Sequence, residues 1–130
     1  MSDEKKIKEF VQETLGCGCP EEVFCYIEHN KDVDMPGNVC LSDRINIGNR
    51  LLVYILETND LIFIEKELDG LIKEGIKERD DLGFNRFRMV ISADNVSEME
   101  DLAFRVFDSM QGKDDRVHLH VIKNKEISAL

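Results

Sequence analysis

Leu51-Leu52-Val53-Tyr54-Ile55-Leu56-Glu57-Thr58-Asn59-Asp60 is the stretch on which the fold turns. Six apolar residues in a row, with β-branched and aromatic side chains among them, are too few for a core helix. They read as a strand covered on both faces, the kind found inside a sheet that carries helices. Asp60 then stands where a helix begins. Leu61, Ile64, Leu68, Leu71, Ile72 and Ile76 repeat at helical spacing as far as about Arg79. A buried strand that runs straight into an amphipathic helix is the opening of a βαβ unit. Asp69 and Lys73 are spaced for an ion pair on its outer face, while Gly70 and Gly75 imply either close packing or a weak helix.

Downstream the pattern repeats. Phe87 to Ala93 reads as a second strand, Asp94-Asn95 ends it, and Asn95 with Glu98 has the spacing of a helix cap. Met99, Leu102, Ala103, Val106 and Met110 form the apolar stripe of that helix, and Gly112 ends it. In the last strand, Arg116 to Lys123, Val117, Leu119 and Val121 point one way and His118 and His120 the other. Two overlapping βαβ units with right-handed crossovers make three parallel strands.

Upstream, Arg44-Ile45-Asn46-Ile47 alternates, and Gly48-Asn49 is a two-residue hairpin turn, so an antiparallel strand is added. Residues 29–43 hold Asp32, Asp34, Pro36, Gly37 and Asn38 and read as a long loop; a short strand precedes them at Cys25-Tyr26-Ile27. Ser2 to Leu15 reads as a helix with Ile7, Phe10, Val11 and Leu15 inward, so residues 1–20 are an N-terminal helix and a Cys-Gly-Cys connection. The expectation is one α/β layered domain over residues 1–130 with a mixed, mostly parallel sheet: helix, short strand, β-hairpin, then βαβαβ.

Composition limits the functions. The chain has 130 residues, 42% of them apolar, which suits one domain with a real core. Its 27 acidic and 17 basic residues leave a net charge of −10. That balance argues against nucleic acid and against an anionic membrane surface. The charge is uneven: Asp94 to Asp115 carries seven acids against Arg105 and Lys113. A solvated face is the ordinary meaning, and a docking face for a basic protein is the sharper one. The N-terminus has no apolar targeting stretch and no run approaches a membrane span, so the sequence reads as cytoplasmic.

Cys17-Gly18-Cys19-Pro20 is the segment with chemistry in it. Two sulfurs two residues apart can hold one soft metal such as zinc or close a small strained disulfide. Gly18 allows the sharp backbone, and Pro20-Glu21-Glu22 resembles a helix start that would favour a Cys19 thiolate. Glu21 and Glu22 oppose that effect. Small residues in a tight connection are the plain alternative. Cys25 and Cys40 read as buried small hydrophobes.

His118 and His120 share a strand face and could join Cys17 and Cys19 as metal ligands. The plainer reading is a pair of solvent-facing histidines on an edge strand. Parallel strands place ligand pockets at their carboxyl ends. Asp60 and Asp94 lie there and are candidate ligand-binding residues, although helix capping alone explains them. Three functions follow: a thiol-redox or soft-metal protein using Cys17 and Cys19, a non-enzymatic interaction or homodimerisation module, and a small-ligand binder or enzyme near Asp60 and Asp94.

Overall fold

The computed structural model describes residues 2–15, 24, 26–35, 39–111 and 113–124. Helix α1 (Ser2–Glu9) runs into a π-helical turn (Phe10–Thr14). Strands β1 (Ile27–Met35), β2 (Val39–Ile47) and β3 (Leu51–Glu57) follow, then helix α2 (Leu61–Leu82), strand β4 (Arg86–Ala93), helix α3 (Val96–Ser109) and strand β5 (Val117–Lys123). The strands form a five-stranded sheet in chain order, β1-β2-β3-β4-β5. β1 with β2 and β2 with β3 pair antiparallel, whereas β3 with β4 and β4 with β5 pair parallel. The chain is thus an α/β layered fold on a mixed sheet, with the parallel part confined to the C-terminal three strands.

Local chemistry explains the joints. Gly48 and Asn49 have φ of 61° and 55°, the left-handed pair that a two-residue turn needs to match strand twist. Asn46 closes the turn by accepting from the Asn49 backbone N–H at 2.9 Å. Asp60 caps α2 by accepting from the Phe63 N–H at 3.1 Å, and Asn95 caps α3 by accepting from the Glu98 N–H at 3.3 Å. Lys73 and Asp69 meet at 2.9 Å on the exposed side of α2.

Neighbouring parallel strands joined by crossovers of one hand put both helices on the same side. α2 and α3 accordingly pack side by side on one face, and α1 with its π turn covers the other. β3 divides cleanly between the two cores. Leu52, Tyr54 and Leu56 join Ile64, Leu68, Ile72 and Phe87 beneath α2 and α3. Leu51, Val53 and Ile55 join Ile7, Phe10, Val11 and Leu15 beneath α1. The glycines of α2 also separate. A Cβ on Gly75 would stand 2.1 Å from the Phe87 ring, so helix and sheet approach there because the side chain is absent; at Gly70 a Cβ meets nothing within 4 Å.

The expected long loop over residues 29–43 and the short strand at Cys25–Ile27 are corrected. β1 and β2 form a hairpin that keeps one register from Ile27 opposite Ile47 to Met35 opposite Val39. β1 is an edge strand, and its exposed Glu28, Asn30, Asp32 and Asp34 deter pairing with another chain. Those same side chains are turn formers, which disguised the strand. Asp32 has φ of 53°, and the hairpin changes faces near it. Ile45 and Ile47 belong to the α1 core, whereas Val39 and Leu41, in phase with them, belong to the other. Cys40, expected in the core, is exposed opposite Asp34 because Leu41 takes the inward position. Cys17, Cys19, Cys25 and the helix ends at Gly16 and Gly112 lie outside the described residues.

Candidate functional site

Three arginines are largely removed from water, and their partners separate them. Arg44 on β2 reaches Glu78 on α2, with Nη2 2.5 Å and Nε 3.1 Å from one carboxylate oxygen, and lies 3.4 Å from Glu28. The buried Tyr54 hydroxyl donates to the same Glu78 carboxylate. Burial pushes the Glu78 carboxyl up, but hydrogen bonds from Arg44 and Tyr54 outweigh it and hold the group below the usual range. Burial and the Glu78 carboxylate push the Tyr54 hydroxyl far up. Arg79 donates to both oxygens of Asp114 at 3.0 and 2.9 Å and to Asp80 at 3.0 Å. Both are satisfied ion clusters that clamp α2 to the sheet and to the segment before β5.

Arg88 is different. It sits in the middle of β4, 7% exposed, and alternation turns it toward α1. Its Nη1 donates to the Leu15 carbonyl at 3.1 Å and to His120 Nε2 at 2.8 Å. Its Nε is buried without a partner. Among the described residues no carboxylate pairs with it. Burial, then the neighbouring Arg86, pushes its pKa down. Because His120 Nε2 accepts from Arg88, the network assigns the imidazole proton to Nδ1. Burial, then Arg88 and His118, pushes the His120 pKa down to about 4. His118 is lowered as well, by burial, Arg88 and Arg86, with Asp115 opposing. A buried charge left unpaired is costly, and such arrangements concentrate at functional sites.

Sequence reasoning missed Arg88, yet a signal was present: it is the lone charge inside Phe87-Arg88-Met89-Val90-Ile91. The structure brings His118 and His120 to the α1 face of β5, on the same side as Arg88. His120 is packed beside Arg88 rather than turned to solvent. The sulfurs of Cys17 and Cys19, expected to join the histidines, lie outside the described residues. Among the described residues, no three His, Cys, Asp or Glu side chains converge as a metal site.

The carboxyl ends of β3 and β4 form a second polar site. The two oxygens of Asp94 accept from Asn124 Nδ2 at 2.5 Å and from Asn59 Nδ2 at 3.0 Å. The buried Ser92 hydroxyl donates to Asn124 Oδ1 at 2.6 Å. Beside this network lies a cleft of about 310 Å³, rimmed by Asn59, Asp94, Asn95 and Glu98 over Leu61 and Met99. Asp60 is committed to the α2 cap and does not line the cleft.

Among the described residues, no helix is long and apolar enough to cross a membrane. No protein-family model matches the sequence, and neither the curated proteins nor the solved structures compared with it give a match.

Proposed function

We propose that the protein is a thiol protein that works through Cys17 and Cys19, with Arg88 as the positive charge that favours the thiolate. One observation carries this reading: Arg88 Nη1 grips the Leu15 carbonyl, two residues before Cys17. Two residues of chain reach no further than about 7 Å, which bounds Cys17; Cys19, two residues further on, lies within about 14 Å. A cation in a desolvated place lowers the pKa of a nearby thiol, and the reactive species is the thiolate.

Cys19 is the attacking thiolate and Cys17 the resolving one. Cys19 attacks a substrate disulfide, forming a mixed disulfide and releasing the first substrate thiolate. Cys17 then displaces the second thiolate and closes the Cys17–Cys19 disulfide. The substrate gains two electrons, and the protein loses them. A ring that small is strained and readily reduced, so the exchange runs forward against a substrate disulfide that is itself strained or reactive, and in reverse it oxidises a substrate dithiol.

The test is thiol titration, equilibration with glutathione and metal analysis on anaerobically purified protein. The expected result is a pair of thiols that oxidise reversibly to an intramolecular disulfide. Unreactive sulfurs without bound metal sink the proposal. Zinc held by both sulfurs replaces it with the metal reading, in which His118 is the freer imidazole because His120 Nε2 already accepts from Arg88.

A second reading, a small-ligand binder at the carboxyl-end cleft, has Asp94 and its amide partners for support. Thermal-shift responses that vanish in Asp94→Ala would favour it. For a basic protein partner the support is the exposed Glu100, Asp101 and Asp108 of α3. The charged edge of β1 weighs against a homodimer built by edge pairing; light scattering tests the dimer.

A further inference from the structure

We infer that Arg88 anchors an oxyanion site on the α1 face of β4 and β5, taking a carboxylate or phosphate group side-on. Both hydrogen bonds of Arg88 are made by Nη1, and they fix the plane of the guanidinium between the Leu15 carbonyl and His120. Its Nε has no partner, and Nη2 makes no hydrogen bond among the described residues. In arginine the Nε–H and one Nη2–H run parallel, forming the fork that receives two oxygens of a carboxylate or phosphate. The unused edge is therefore the edge built for bidentate recognition. The other two buried arginines show the contrast: Arg79 spends its donors on Asp114 and Asp80, and Arg44 spends its own on Glu78 and Glu28.

The surroundings have the same preference. Arg86, exposed at the head of β4, and half-buried His118 on β5 stand on the Arg88 face. In a chain of net charge −10, two arginines therefore share this face, with His118 beside them as a neutral imidazole. A bidentate oxyanion would complete the hydrogen bonding of a donor now buried without an acceptor, and it would neutralise a charge that burial makes costly. The inference needs neither Cys17 nor Cys19 and stands apart from the thiol reading.

The experiment titrates the full chain with inorganic phosphate and, separately, with formate at constant ionic strength. Nitrogen-resolved NMR follows the Arg88 Nε–H, and calorimetry measures affinity. The expected result is a saturable shift of the Arg88 Nε–H resonance, with binding about tenfold or more weaker in Arg88→Lys, which keeps the charge but loses the fork. Tighter phosphate assigns a phosphoryl ligand, and tighter formate assigns a carboxylate. Cys17→Ser/Cys19→Ser binds as the parent does. The absence of a saturable shift in the unsubstituted protein overturns the inference, and this readout stands even if Arg88→Lys does not fold. Equal affinity in Arg88→Lys, or loss of binding in the serine variant, overturns it too.

Discussion

The same substitution at two positions of one helix should act with opposite sign. Gly70 and Gly75 both lie inside α2, and each forgoes the helix propensity of alanine, worth about 1 kcal/mol. Gly70 is exposed, and a Cβ there meets nothing within 4 Å. Gly70→Ala should therefore stabilise the protein by about 1 kcal/mol, or roughly 3–6 °C in a domain of this size. At Gly75 a Cβ would stand 2.1, 2.4 and 2.6 Å from three carbons of the Phe87 ring. That ring is fully buried and meets Tyr54 edge-on, with centroids 4.9 Å apart, so it has nowhere to retreat. Overpacking of this kind costs roughly 1–3 kcal/mol, and so deep an overlap belongs at the upper end. After subtracting the propensity gain, Gly75→Ala should destabilise by about 2 kcal/mol. Denaturant melts followed by far-UV circular dichroism measure both variants. Trimming the ring with Phe87→Leu should recover at least about 1 kcal/mol relative to additivity, since the two positions touch. Stabilisation by Gly75→Ala, or strict additivity with Phe87→Leu, would refute the packing argument.

The remaining predictions concern charge. His120 has a folded-state pKa of about 4 against the ordinary histidine value of 6.5. As pH falls through that window the unfolded chain takes up the proton first, so stability present above about 6.5 is lost towards 4. His120→Gln, which keeps an acceptor for Arg88, should flatten that loss when denaturation midpoints are compared across the window. Arg88→Met exchanges an uncompensated buried cation for an apolar side chain of similar length, and should raise stability by about 1 kcal/mol or more in denaturant melts. Arg44→Met strands the half-buried Glu78 carboxylate and should lower stability by about 1–3 kcal/mol in the same assay.

Much of the C-terminal fold is legible because local signals agree. The Leu51–Leu56 run, the Asp60 and Asn95 caps and the Gly48-Asn49 turn each name one structure, and the sheet uses them in chain order. β1 was hidden for a physical reason. An edge strand is protected by the side chains that otherwise mark loops, here Asp32 and Asp34. Cys40 was misplaced with it, because only a strand over 39–47 turns Leu41 inward and Cys40 outward. Arg88 was legible as an anomaly in an apolar run, but what it meets was not. Leu15 is 73 residues away, and His120 comes from the next strand over. Contacts of that separation follow from topology, which local pattern does not carry. Asp94 was flagged from its place at a strand's carboxyl end, while its partner Asn124 lies beyond the last strand and carried no motif.

In the thiol proposal the Arg88 charge acts on Cys17 and Cys19. Alkylation rate against pH tests it directly, in a Cys25→Ser/Cys40→Ser background so that only those two sulfurs report. The expected result is a thiol with a midpoint below the ordinary value of about 8.5, moving up towards that value in Arg88→Met. Superimposed profiles for the two proteins, both with an ordinary midpoint, would contradict it.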